Sequence, residues 1–151
     1  MIDNTTIGHI LNEKGTHVWS VSPDTSVFDA ISQMAERNIG CLCVTENGRL
    51  IGLISERDYT RKIILRGKAS KTTQVREIIS GQLISITPES TVDQCLHLMT
   101  DHRVRHLPVL ENGRLAGLIS IGDLVNWIIS AQRTTIEQLQ TYISGVPGTV
   151  G

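Results

Sequence analysis

The chain has 151 residues, 40% of them apolar, 19% charged and only 3% aromatic, with a formal net charge of −1. That balance argues against a general nucleic-acid or membrane-surface binder, and no apolar run approaches the ~20 residues that span a bilayer. The length fits one compact body with an aliphatic core, and three cysteines (Cys41, Cys43, Cys95) make no disulfide framework, which reads as a reduced, cytoplasmic protein.

The first ten residues lack the cationic start and apolar stretch of a secretory signal. Within 4–17, Ile-Gly-His-Ile-Leu predicts a short helix leading into a first strand, Val-Trp-Ser-Val-Ser, which Pro23 ends. Ser26 is a candidate N-cap for a helix whose apolar residues Val27, Ala30, Ile31 and Met34 recur at helical spacing. A second strand, Cys-Leu-Cys-Val-Thr, turns through Asn47-Gly48, a type I′ hairpin signal, into Arg-Leu-Ile-Gly-Leu-Ile-Ser. A second helix starts near Glu56 and carries Ile63 and Ile64 on its expected buried side.

The pattern then repeats. Displaced by 65 positions, Glu46–Leu50 is spelled again as Glu111–Leu115, and 18 of the 47 pairs between 18–64 and 83–129 are identical without a gap. Residues 73–80 play the lead-in part for the second copy. Leu-Ile-Ser-Ile-Thr, Thr91 with Val92, Cys95, Leu96 and Met99, His-Leu-Pro-Val-Leu, Asn112-Gly113 and a helix near Ile121 with Ile128 and Ile129 follow in register. The fold class is therefore α+β, with two β-α-β-β-α units packed about a pseudo-two-fold axis. Each half of about 60 residues is marginal alone, so the halves need each other. The expected division is a first repeat with its lead-in at 5–66, a basic linker at 67–74, a second repeat with its lead-in at 75–131, a C-terminal helix at 132–144 and a disordered tail at 145–151. That last helix is expected to start behind a capping box at Thr134 and Glu137, with Ile136, Leu139 and Ile143 on its stripe.

The strongest local chemistry is Gly-Leu-Ile-Ser-x-x-Asp, present from Gly52 to Asp58 and from Gly117 to Asp123. A serine where strand passes into helix can join the helix's first amides in donating to a phosphate. An ionised aspartate is acceptor-only and can take both hydroxyls of a ribose. The same spacing also describes a capping box that binds nothing. Against capping stand the short reach of Asp compared with Glu and the glycine, whose bare backbone would let a base or sugar come close. Arg105 and His106 replace Gly40 and Cys41 of the first repeat, so the halves differ where a phosphate or base would be held.

These units, each ending in Gly-h-h-Ser-x-x-Asp and the second carrying Arg-His-Leu-Pro-Val, resemble a tandem pair of CBS domains, a Bateman module. The wording Val-Trp-Ser-Val-Ser-Pro and Ser-Glu-Arg-Asp-Tyr-Thr-Arg-Lys is similar to that of small stand-alone bacterial CBS-domain signal-transduction proteins. The resemblance covers about residues 5–130. It implies a non-enzymatic regulatory module binding an adenine nucleotide (AMP or NAD foremost, or ADP, ATP or S-adenosylmethionine) between the repeats. It further implies a homodimer, an unidentified regulated protein as partner, and no metal, nucleic acid or membrane. Carried onto this chain, Asp123 holds one ribose and Ser120, with Gly122, its phosphate; Asp58 and Ser55 do the same at a second site. One adenine would lie between His106, Leu107 and Pro108 on one side and Thr16 and Val18 on the other. The second would lie between Gly40 and Cys41 on one side and Ser80 and Ile84 on the other. Arg57, Arg61 and Arg105 are the phosphate partners. Cys43 stands where the family usually has proline, a departure in the first base pocket. The rival from another class is a protein-interaction scaffold whose clefts stay empty. A Cys41–Cys43 redox pair and a His97, His102 and His106 metal site are weaker readings, for want of an activating cation and of ligand spacing.

Overall fold

The computed structural model describes residues 4–79 and 82–144; Ser80 and the tail 145–151 lie outside them. Helix α1 (Ile7–Lys14) is followed by β1 (Ser20–Val21), α2 (Val27–Arg37), β2 (Cys41–Glu46), β3 (Arg49–Ser55) and α3 (Glu56–Tyr59), which runs on as a π-helical turn over Thr60–Ile64. A 3₁₀ turn (Val75–Glu77) precedes α4 (Val92–His102), β4 (His106–Glu111), β5 (Arg114–Ser120) and α5 (Ile121–Ser144). The sequence sets these ends locally. Ser26 and Thr91 accept from the backbone of Asp29 and Gln94, capping α2 and α4. Asn38 and Arg103 close the same helices in the left-handed region. Both Asn-Gly hairpins have positive φ at both residues, as a type I′ turn demands. β2 pairs antiparallel with β3, and β4 with β5, each pair carrying a bulge at the same place, after Val44 and after Val109.

Two aliphatic cores result, and each borrows from the other half of the chain. Ile7, Ile10 and Leu11 of α1 are buried with Val92, Cys95 and Met99 of α4, Leu107 and Val109 of β4 and Ile119 of β5. Val75 and Ile78, just before the second repeat, are buried with Val27, Ala30, Met34, Leu42 and Ile54 of the first. Main-chain bonds fix the exchange: Val92 N–H donates to Thr5 O (2.9 Å), Gly8 N–H to Pro88 O (2.8 Å), Val75 N–H to Thr25 O (2.8 Å) and Arg76 N–H to Pro23 O (2.9 Å). The lead-in segments thus belong, in space, to the opposite repeats from those they precede in the chain. Neither half can shed its partner without opening a core, which ties the two repeats into one cooperative body.

Several expectations are corrected. The first strand of each repeat is shorter than its β-rich run: β1 has two residues, and its counterpart shrinks to one bridge, Ile86 to Val109. Of the paired isoleucines, Ile63 is buried but Ile64 is 56% exposed and Ile129 42%, because one helical turn buries only one of two adjacent residues. No new helix starts at Thr134. Its hydroxyl donates to Ser130 O (3.1 Å) inside one continuous α5, since nothing from Leu124 to Ser144 breaks the helix. Among the described residues no helix is long and apolar enough to cross a membrane.

Candidate functional site

Both Ser-x-x-Asp motifs sit where a strand becomes a helix. At the first, Ser55 N–H donates to Asp58 Oδ2 (2.9 Å) and Asp58 N–H donates to Ser55 Oγ (3.2 Å). At the second, Ser120 N–H donates to Asp123 Oδ2 (2.8 Å) and Asp123 N–H to Ser120 Oγ (3.1 Å). The expected short reach of aspartate is therefore wrong: each closes a full reciprocal cap. The strand-end φ and ψ of Ser55 (−125°, 164°) bring the two backbones close enough for the shorter side chain.

Each carboxylate also meets a lysine, from different places. Lys62 Nζ lies 3.3 Å from Asp58 Oδ1, one turn along, and donates to Ile78 O (2.6 Å). Lys14 Nζ, at the end of α1, donates to Asp123 Oδ2 (2.6 Å) and to Leu118 O (2.7 Å). The bonds of Asp123 converge on Oδ2, which leaves Oδ1 with acceptor capacity for a hydroxyl. Lys62 was signalled by its i, i+4 spacing from Asp58. No pattern within the sequence signals Lys14.

The motif glycines serve packing. A Cβ on Gly117 would stand 2.8 Å from Leu11 Cδ2, and one on Gly52 3.2 Å from Ile79 Cβ. Each glycine admits the lead-in segment that crosses over it, rather than a base or sugar. The crossing explains why Gly-Leu-Ile-Ser recurs: glycine for the crossing, serine for the cap.

A cleft of about 880 Å³ opens between the repeats. It is lined by Gly40, Cys41, Ser55, Arg57, Asp58 and Arg61 of the first repeat, and by Ile84, Arg105 and His106 leading into and within the second. Gly52, Leu53, Glu56, Lys62, Gln82, Leu83, His102, Arg103 and Val104 complete its wall. Arg57 spans it, donating to Arg103 O at 3.1 Å. Arg105 and His106 line the cleft of Asp58, and His106, expected beside Asp123, is also paired in the sheet with Ser120, close enough to Asp123 and Lys14 to feel both charges. The other expected residues lie elsewhere. Leu107 is fully buried in the second core and Pro108 is buried beside it, so any ligand contact there falls to backbone. Thr16 is exposed, Val18 half-buried, and Gly122 exposed in the first turn of α5. Burial, with Lys14 and Arg105 nearby, holds His106 below the usual histidine range, against an opposing pull from Asp123.

The thiols fit packing chemistry. Burial pushes Cys43 up to about 12 and Cys41 higher still. The guanidinium of Arg37, four residues before Cys41 in the chain, stacks 3.7 Å over Trp19. Among the described residues no three His, Cys, Asp or Glu side chains come together as a metal-ligand set.

Known proteins share this arrangement. Residues 7–65 and 75–130 each match the CBS domain family. The CBS domain-containing protein CBSX3, mitochondrial, of Arabidopsis thaliana is 39% identical over 153 residues, which cover 95% of this chain and 74% of that protein. A solved protein with CBS domains from Burkholderia ambifaria MC40-6 superposes with a TM-score of 0.81 at 44% identity, covering 85% of this chain and 96% of that one. The fold alone is shared, at 20% identity and a TM-score of 0.75 over 84% of this chain and 98% of that one, with the CBS domain pair of protein MJ0100, solved in complex with 5′-methylthioadenosine and S-adenosyl-L-methionine. With two matched repeats crossing their lead-in segments around one shared cleft, the chain belongs to the CBS-domain family as a tandem pair.

Proposed function

We propose that this pair is a non-enzymatic regulatory module that binds an adenine nucleotide, AMP or NAD, between its repeats. One observation carries the reading: the cleft gathers a strand-to-helix serine, an aspartate one turn later and several guanidinium groups from both repeats. Asp58 takes the ribose hydroxyls, releasing Lys62 toward the phosphate, while Ser55 and the first amides of α3 receive the phosphate. Arg57, Arg61 and Arg105 neutralise it. The adenine enters between Gly40 and Cys41 on one side and Ile84 on the other. At the pseudo-symmetric position Asp123, Ser120 and Gly122 hold a second nucleotide, with Thr16 and Val18 beside the base and the main chain of Leu107 and Pro108 opposite. MJ0100, which shares the fold, was solved with 5′-methylthioadenosine and S-adenosyl-L-methionine, and those two adenosine-bearing ligands support the reading.

A ligand touching both repeats favours whichever packing of the two gives it more contacts, and that difference is the regulatory signal. The exposed Ile64 and Ile129, equivalent in the two repeats, and Ile121 and Val125 beside Ile129 suit a homodimer face. Thermal melts with AMP, NAD, ATP and S-adenosylmethionine test the proposal. A hundredfold excess over Kd stabilises by about 2.7 kcal/mol. Asp58→Ala or Asp123→Ala should weaken the shift. If no adenine compound moves the melt at millimolar concentration, the module is instead a docking scaffold with empty clefts.

A further inference from the structure

The two sites are related by the repeat, yet their charges are not. Five cations line the cleft of Asp58: Arg57, Arg61 and Lys62 from the first repeat, and Arg103 and Arg105 from the second. Moving each by 65 positions to the Asp123 side replaces it with Gly122, Asn126, Trp127, Asn38 and Gly40 respectively. Every one of the five becomes neutral. The same mapping puts Arg105 in the place of Gly40 and Arg37, stacked on Trp19, in the place of His102, and the cation paired with Asp123 is Lys14, already committed to that carboxylate and to Leu118 O.

We infer that the sites are chemically unequal: the Asp58 cleft takes a ligand carrying two or more phosphate groups, a nucleoside diphosphate or a dinucleotide, and the Asp123 site takes a nucleoside monophosphate. The inference rests on the nucleotide-binding reading above and assigns ligand classes within it. Five cations face only two carboxylates in the cleft, Asp58 and Glu56, which suits a diphosphate bearing two to three negative charges. The cations also stand on opposite walls. α3 and its π-turn supply three, the α4–β4 connection two, and the Arg57 bond to Arg103 O pins one guanidinium across the gap. A phosphate chain reaching from Ser55 toward Arg105 meets both walls, whereas a single phosphate at the α3 terminus engages one. The volume of about 880 Å³ leaves room for that length.

Calorimetric titration of the full chain with AMP, ADP and NAD, in the wild type and three variants, decides it. In Asp123→Ala, which isolates the cleft, ADP and NAD should bind at least about tenfold tighter than AMP, the worth of one added charge-assisted hydrogen bond. Arg61→Gln with Arg103→Gln, both exposed positions, should erase that preference while leaving AMP affinity at the Asp123 site unchanged. Asp58→Ala should retain AMP binding and lose the tight diphosphate phase. Equal affinities for AMP and ADP in Asp123→Ala, or a diphosphate preference that survives loss of both arginines, overturns the inference while nucleotide binding stands. Absence of any heat with all three compounds overturns both.

Discussion

Lys14 and Asp123 lie 109 positions apart in the chain, and their charged atoms meet at 2.6 Å. The contact ties the end of α1 to the first turn of α5 and holds the carboxylate that caps that helix. Its neighbour His9 packs edge-on against Trp127, 5.1 Å between rings, so α1 is fastened to α5 at two points. Lys14 is 38% exposed and Asp123 22%, so solvent screens the pair and its net worth is about 1 kcal/mol or less. Lys14→Met should lower the melting temperature by about 2–4 °C, and Asp123→Asn by a similar amount. Combined, the two should cost little more than either alone. Additive losses in a double-mutant cycle would show the ion pair to be idle.

Crossing lead-ins make a sharper forecast at the motif glycines. Gly117→Ala places a methyl 2.8 Å from Leu11 Cδ2, in a core where Leu11 is only 4% exposed. Overpacking of that kind costs about 1–3 kcal/mol. In a Leu11→Ala background the new methyl enters vacated space, so its added cost should nearly vanish. Gly52→Ala should be at least as damaging at its lesser overlap, because the atom it meets first is Ile79 Cβ, held by the backbone. Urea denaturation of the four variants checks both statements, and an undiminished Gly117→Ala penalty beside Leu11→Ala contradicts the crossing as its cause.

Most of the local structure was legible because its causes are local. The Asn-Gly turns, the Ser26 and Thr91 caps and the period of Val27, Ala30 and Met34 each act over a few residues, and the 65-residue displacement doubled every signal. The exchange of lead-ins was harder to see. Those segments repeat at a displacement of 68, pairing 5–14 with 73–82, and only Thr5 with Thr73 and Ile10 with Ile78 are identical across it. At that displacement Leu11 matches Ile79, the two side chains over the motif glycines, and Lys14 matches Gln82, which lines the cleft. The motif glycines were misread for the same reason, since what crosses them comes from far away in the chain. His106 stands between the two sites, lining the Asp58 cleft while paired in the sheet with Ser120, a position that spacing within one repeat does not reveal.

The thiols offer a simple check on burial. Cys41, Cys43 and Cys95 are all buried and unpaired, and burial raises all three, Cys95 to about 11 and Cys43 to about 12. At pH 8 the native chain should react with a thiol-specific disulfide reagent no faster than it unfolds, and all three should react at once in denaturant. Rapid labelling of one thiol in the folded protein, lost in Cys41→Ser, would mark the cleft as open enough to ionise Cys41.

His106 should make the stability of the body fall on the acid side. Its folded value lies below the ordinary 6.5, chiefly through burial and then through Lys14 and Arg105, with Asp123 opposing. The unfolded chain therefore binds a proton on this residue before the folded chain does. Its contribution is complete above pH 6.5 and disappears as pH falls from there through the lowered folded value. His97 has the opposite sign: the carbonyl and carboxylate of Asp93 raise it, so it favours the folded state below 6.5 and loses that contribution as pH rises through its raised value. Melting temperatures taken from pH 7.5 to 5.0 should thus fall less steeply in His106→Gln than in the wild type, and more steeply in His97→Gln. A His106→Gln profile parallel to the wild type would mean that the imidazole is hydrated in the cleft and titrates alike in both states.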